Sequence, residues 1–231
     1  MISPPTADGL NEKQQQSVTL SEDINALILA GAGSGKTRVL THRIHYLVSE
    51  KNHHADDILA VTFTNKAANE MKERLSDLLR RPIGRMWVGT FHSLAHRLLR
   101  THPAEASLSP TFQILDAQDQ FRIIKRLMKE NAVDEKKLKI KEVQWFINKN
   151  KDNGISPQDI DVGYDYAKKQ KVKVFDLYEN FVQTNDLVDF AGLLVKSYEL
   201  LKNNQSLLDH YQKKFRHILV DEFQDTNRIQ Y

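Results

Sequence analysis

Ala30-Gly31-Ala32-Gly33-Ser34-Gly35-Lys36-Thr37 is the stretch that decides the fold. It follows a short apolar run, Ala26-Leu27-Ile28-Leu29-Ala30, and precedes residues with helical spacing: Val39, Leu40, Ile44, Leu47 and Val48. An apolar run that ends in glycines predicts a buried parallel strand over 26–30 that feeds a loop, with a helix from Thr37 to about Ser49. That context makes the glycine-rich stretch a phosphate-binding loop. Glycines let backbone N–H groups converge on phosphate oxygens without Cβ clashes, and a helix N-terminus adds the positive end of its dipole. On this reading Gly33, Ser34, Gly35 and Ala32 line the phosphates, Lys36 reaches the β- and γ-phosphates, and the Thr37 hydroxyl ligates Mg²⁺. The first position of the usual G-x-x-x-x-G-K-[ST] pattern is Ala30 here. A strand-to-helix turn without a ligand is the bland alternative, but Gly-Lys-Thr at this point has little structural purpose.

Outward from the loop, Ile58–Phe63 predicts a second buried strand, Lys66–Arg80 a second helix, Met86–Val88 a third strand and Ser93–Arg100 a third helix. Strands and helices in alternation with short joints predict an α/β fold with a parallel sheet. From Asp116 to about Asn203 the spacing is helical, with almost no strand signal. Asp116 is placed to cap a helix through Met128, and Ser156-Pro157 to open another. His217–Val220 then predicts a strand that returns to the first sheet and ends in Asp221-Glu222. The domains expected are an α/β domain over 1–115 and 205–231 and an all-helical insertion over 116–204. Carboxylates at the carboxyl end of a parallel strand stand where ligands bind in open α/β sheets. Asp221 is then the Mg²⁺ ligand, through water, and Glu222 the group that orients or deprotonates an attacking water. An acidic solvated turn is the alternative, weakened by the pairing with Lys36.

Composition narrows the classes. The 231 residues carry 33 Lys+Arg and 30 Asp+Glu, a formal net charge of +3, and no Cys. Disulfide scaffolds, thiolate metal sites and cysteine nucleophiles are excluded. No apolar run approaches the ~20 residues of a membrane span, and no signal-peptide pattern opens the chain, so a cytoplasmic protein is expected. Residues 66–100 hold eight Lys/Arg against three Asp/Glu, an excess that suits a phosphate backbone but equally an ordinary solvated face. The same two readings apply to Lys136, Lys137, Lys139 and Lys141. His92 and His96 lie four apart, yet no third ligand accompanies them, which argues against a metal.

Taken together, Leu10–Gln14, AGAGSGKTRVL at 30–40, AVTFTNKAA at 60–68, MWVGTFHSLAHRLLR at 86–100, FQILD at 112–116, LVDFAGLL at 187–194 and ILVDEFQDTN at 218–227 resemble UvrD/Rep/PcrA-type superfamily 1 DNA helicases, in order and over almost the whole chain. The resemblance implies a RecA-like P-loop domain with a helical inserted subdomain. ATP and Mg²⁺ become the expected cofactors, and single-stranded DNA and ss/ds junctions the expected partners, with DNA repair proteins possible. It implies that Gln14 recognises adenine, that Arg38 contacts the nucleotide, and that Gln224 and Asp225 link the γ-phosphate site to DNA. Phe63, Thr64 and Asn65, with Thr90, Phe91 and His92, are implied strand contacts; Phe63 stacks on a base or is simply a core aromatic. Asp189 resembles an acidic residue near the DNA path. The expected whole is a 3′-to-5′ helicase of nucleotide excision and mismatch repair. The resemblance leads one to expect this chain to be the first RecA-like domain with its helical insertion, ending at Tyr231 before a second domain that supplies arginines. The motor of a helicase–nuclease, a P-loop phosphotransferase and a non-catalytic ATP-binding module remain the alternatives.

Overall fold

A computed structural model describes residues 9–31, 33–135 and 137–231. Ala32, Lys136 and the start of the chain over 1–8 lie outside the described residues. The chain divides into two compact units, 1–94 with 206–225, and 95–205 with 226–231.

The first unit is mixed α/β. Helix α1 (Glu12–Val18) precedes α2 (Lys36–Ser49), β1 (Ile58–Thr62), α3 (Asn65–Leu79), β2 (Trp87–Thr90) and the first turn of α4 (Phe91–Thr101). After the second unit the chain returns through α9 (Gln205–Lys214) to β5 (His217–Val220). The three strands form a parallel sheet in the order β2-β1-β5. The returning strand thus joins the sheet, with Ile58 opposite His217 and Val61 opposite Val220. Helix α3 buries Ala68, Met71 and Leu75, positions three and four apart that share one face. Met71 and Leu75 pack with Ile44 and Leu47 of α2 and with Ile58, Ala60 and Val88 of the strands.

The strand expected over 26–30 is a correction. Residues 24–30 have no regular structure and are exposed, Leu27 at 68 % and Leu29 at 86 %. An apolar run becomes a strand only where a neighbour takes its N–H and C=O groups. Among the described residues, β5 pairs on one side only, with β1.

The second unit is mainly helical: the rest of α4, then α5 (Ala117–Glu130), α6 (Ile140–Asp152), α7 (Tyr166–Thr184) and α8 (Phe190–Asn203). Asp116 caps α5 as expected, accepting from the Gln118 and Asp119 amides. Two expectations fail here. Two three-residue strands, β3 (Gln113–Leu115) and β4 (Leu187–Asp189), pair in parallel. They are too short to print a period-two pattern, and their pairing is extended by Gln113 N–H donating to Asp186 O. Ser156-Pro157 opens only a single 3₁₀ turn, Pro157–Asp159. Its Ser156–Asp159 capping box closes on itself, and Ile160 is already extended.

The core of this unit carries a charge. Lys151, 4 % exposed, sits 3.0 Å from Asp189 and 2.8 Å from Glu179. Asp189 also accepts from Tyr178 Oη at 2.6 Å, from Gln120 Nε2 at 3.2 Å and from the Gly192 amide at 2.6 Å. Burial disfavours both charges, but each offsets the other's penalty. The Asp189 carboxyl stays below its ordinary value and the Lys151 ammonium stays above its own.

Asp189 contributes stability above its unfolded value of about 3.8, and that stability is lost as pH falls through the lower folded value. Removing Lys151 strands the carboxylate, so Lys151→Met should cost about 3–5 kcal/mol in a urea melt at pH 7. The stranded carboxyl then gains by taking a proton. The gap between variant and parent should therefore narrow between pH 7 and pH 4; a gap that stays constant would contradict this account.

Candidate nucleotide site

The site is built where α2 begins and β5 ends. Gly35 is the N-cap of α2 at φ +85°, in the left-handed region that glycine tolerates, and Gly33 is at φ +75°. An ideal Cβ on Gly31 or Gly33 would meet nothing within 4 Å, so open space lies over the loop backbone. Helix N-termini usually recruit a side-chain acceptor and acidic residues. Here the cap has no side chain to offer and the first turn holds Lys36 with no acidic residue. A 14-residue helix that begins this way leaves its first amides and a cation for an anionic ligand. The Ser34 hydroxyl donates to Gly31 O at 2.6 Å and closes the loop on itself.

Opposite stand the carboxylates. The Asp221 amide donates to Val61 O at 2.8 Å, which continues the β5–β1 register by one residue and fixes the side chain. Asp221 is 6 % exposed. Its Oδ2 accepts from Thr37 Oγ1 at 3.0 Å, and its Oδ1 accepts from the Glu222 amide at 3.1 Å. A hydroxyl and a carboxylate at this separation are hard oxygen donors of the kind that hold Mg²⁺. Lys36 Nζ donates to Ala30 O at 3.3 Å and lies 3.8 Å from Glu222 Oε1. The other oxygen of Glu222 accepts from Gln224 Nε2 at 2.6 Å. Glu222 itself is at φ +53°, a conformation that costs a non-glycine residue free energy and that clusters at functional sites.

Gln14 joins this group from α1. Its side-chain oxygen accepts from the Asn11 amide at 3.0 Å, and its Nε2 donates to Ser34 O at 2.9 Å. Asn11 in turn accepts from the Gln14 amide, completing a capping box. Asn11 escaped the sequence reading, although Asn-x-x-Gln before a short helix is a variant of the capping-box signature. Beside these residues lies an open cleft of about 600 Å³, lined by Asn11–Gln14, Ala26–Ala30, Ser34 and Lys36 among others. Arg38 is exposed, with its guanidinium against Gly9.

The other predicted contacts follow β1 and β2. Phe63 and Phe91 come directly after these two strands, and their half-buried rings meet edge to face at 5.5 Å. Thr64 caps α3 by accepting from the Ala67 amide, and Asn65 beside it is exposed. Thr90 is buried and exchanges hydrogen bonds with Ser93; His92 is half-buried. His96 Nε2 accepts from Arg100 Nε at 2.9 Å, and burial followed by that guanidinium holds its pKa below the usual value. Lys137, Lys139 and Lys141 are exposed. Asp189 is not at a surface: it is saturated inside the second unit, a position the sequence alone did not reveal.

The profile of the UvrD/REP helicase N-terminal domain matches residues 10–231. DNA helicase II of Haemophilus influenzae is 50 % identical over 228 residues, covering 97 % of this chain and 31 % of that protein. DNA helicase II of Escherichia coli is 50 % identical over 224 residues, with the same coverage. ATP-dependent DNA helicase PcrA of Bacillus subtilis is 41 % identical over 231 residues, or 100 % of this chain and 31 % of that protein. The chain therefore spans about a third of the length of these relatives. With a profile match over residues 10–231, the chain belongs to the UvrD/REP helicase family, within its N-terminal domain.

Proposed function

We propose that this chain is the ATP-binding N-terminal part of an ATP-dependent DNA helicase. The whole protein moves 3′ to 5′ on single-stranded DNA and opens duplex at ss/ds junctions, in nucleotide excision and mismatch repair in the cytoplasm. The observation that supports this best is the convergence of Lys36, Thr37, Asp221 and Glu222 at one end of the parallel sheet, in a chain whose relatives are named DNA helicases. On this reading a RecA-like P-loop domain runs over 1–115 and 205–231 with a helical insertion over 116–204, bounds that differ from those of the two compact units, where 95–115 go with the helical one.

The residues divide the work. The loop over 31–35 and the first amides of α2 cradle the phosphates, and Lys36 leaves Ala30 O and Glu222 to meet the β- and γ-oxygens. Thr37, and Asp221 through water, would hold Mg²⁺, which would supply charge neutralisation at the phosphates. Lys36's departure frees Glu222 Oε1 to accept a proton from the attacking water, while Gln224 holds the other oxygen in place. Gln14 recognises adenine by exchanging one of its two present hydrogen bonds. Phe63 and Phe91, with Thr64, Asn65 and His92, form the strand-contact surface, while Thr90, the other residue expected there, is buried and bonded to Ser93. Arginines from a second RecA-like domain, in the remaining two-thirds of the protein, complete the charge stabilisation. Effects of that kind are worth about 10³–10⁵ in rate where arginine fingers have been tested.

In the whole protein, single-stranded DNA should raise the ATP hydrolysis rate, and Lys36→Ala should abolish it. The 231-residue chain alone should show no turnover above its own Lys36→Ala control. DNA-stimulated turnover by the chain alone, lost in that control, would overturn the split-site account; a whole protein indifferent to DNA would overturn the motor. Base stacking on an aromatic ring is worth about 1–3 kcal/mol. Phe63→Ala should therefore weaken single-stranded DNA binding by that amount in an anisotropy titration, whatever the base sequence, and unchanged affinity would return Phe63 to the core.

A further inference from the structure

Glu22, His53 and His217 come together at the opposite end of the sheet from the nucleotide site. Glu22 lies in the segment after α1, His53 in the connection from α2 to β1, and His217 is the first residue of β5. Their three donor atoms face one another. His53 Nε2 is 2.5 Å from Glu22 Oε2 and 3.2 Å from His217 Nε2, and His217 Nε2 is 4.0 Å from Glu22 Oε2. Both imidazoles are largely buried, with side chains 11 % and 12 % exposed.

From this geometry we propose that Glu22, His53 and His217 form a binding site for a divalent transition ion of the zinc class. Zinc bonds of about 2.0–2.2 Å in a tetrahedron place neighbouring donors about 3.3 Å apart. The three observed separations straddle that length, so small side-chain rotations seat the ion. Two imidazoles with one carboxylate match this metal class, and they leave a fourth position for water. Protons satisfy the cluster poorly. One proton on His53 Nε2 serves Glu22 and leaves the His217 lone pair facing an N–H already in use.

The surroundings hold the ligands in place. Lys51 Nζ lies 3.6 Å from Glu22 Oε1, which leaves Oε2 to the histidines. Arg43 donates to the carbonyls of Val18, Leu20 and Ser21 and so fixes the segment that delivers Glu22. Such outer partners orient metal ligands. The ion staples three segments that are distant in sequence, among them the one that leads to the exposed run over 24–30. The site stands apart from the candidate nucleotide site, at the start of β5 rather than at its end.

The test uses the untagged 231-residue chain, stripped with a chelator and titrated with Zn²⁺ against a chromophoric competitor. One equivalent should bind and raise the melting temperature, and Co²⁺ in its place should show the visible absorption of a tetrahedral ion. Glu22→Gln, His53→Gln and His217→Asn should each weaken Zn²⁺ binding by about 100-fold or more, beyond what loss of an outer partner costs. His54→Gln, next in sequence, should leave it unchanged. Far-UV circular dichroism establishes that each variant is folded. An unaltered affinity in the three variants, or a parent chain without the Co²⁺ signature, would overturn the proposal.

Discussion

Thr37 and Asp221 are 184 positions apart in sequence, and their side-chain oxygens are 3.0 Å apart. The nucleotide site depends on that contact. It sets the start of α2 against the end of β5, and so brings the loop glycines and Lys36 to the same place as Glu222 and Gln224. The contact follows from the sheet. Asp221 is held because its amide continues the pairing of β5 with β1, and Thr37 is held because it is the second residue of a helix packed on that sheet. A buried carboxylate is costly unless hydrogen-bonded, and here a hydroxyl and an amide satisfy it. Both partners are also groups from which a hard cation can take over.

Glu222 shows the complementary strategy. Its left-handed backbone turns its carboxylate toward Lys36 and Gln224 rather than letting it follow Asp221. In the present arrangement Lys36 and the proposed base restrain each other at 3.8 Å. An anionic ligand that draws Lys36 away changes the freedom of Glu222 in the same step.

Much of this was legible from residue patterns. The helices α2 and α3, the strands β1 and β5 and the turn before α2 come from local signals: apolar runs of strand length, apolar positions three and four apart, and glycines before Lys36. Asp116 as a cap is of the same kind. What stayed hidden depends on partners. Whether Ala26–Ala30 becomes a strand depends on a neighbouring edge, and the run reads identically with or without one. Strands β3 and β4 are three residues each, too short for periodicity, and exist because each supplies the other's hydrogen bonds. The resemblance put Asp189 near the DNA path, and nothing in its neighbourhood in sequence announces its buried partner Lys151, 38 positions away. The Glu22–His53–His217 cluster draws on three separate segments, while His92 and His96, the pair that spacing did suggest, do not form a cluster.

The most direct test of the central contact is the Mg²⁺ dependence of ATP binding to the 231-residue chain, measured by calorimetry for the parent and for Asp221→Asn. If Thr37 and Asp221 form the cation's seat, the parent should bind ATP more tightly with Mg²⁺ than without it. Asp221→Asn should lose that increment while keeping the metal-free affinity that the loop and Lys36 provide. An increment that survives in Asp221→Asn would contradict the account and place the cation elsewhere.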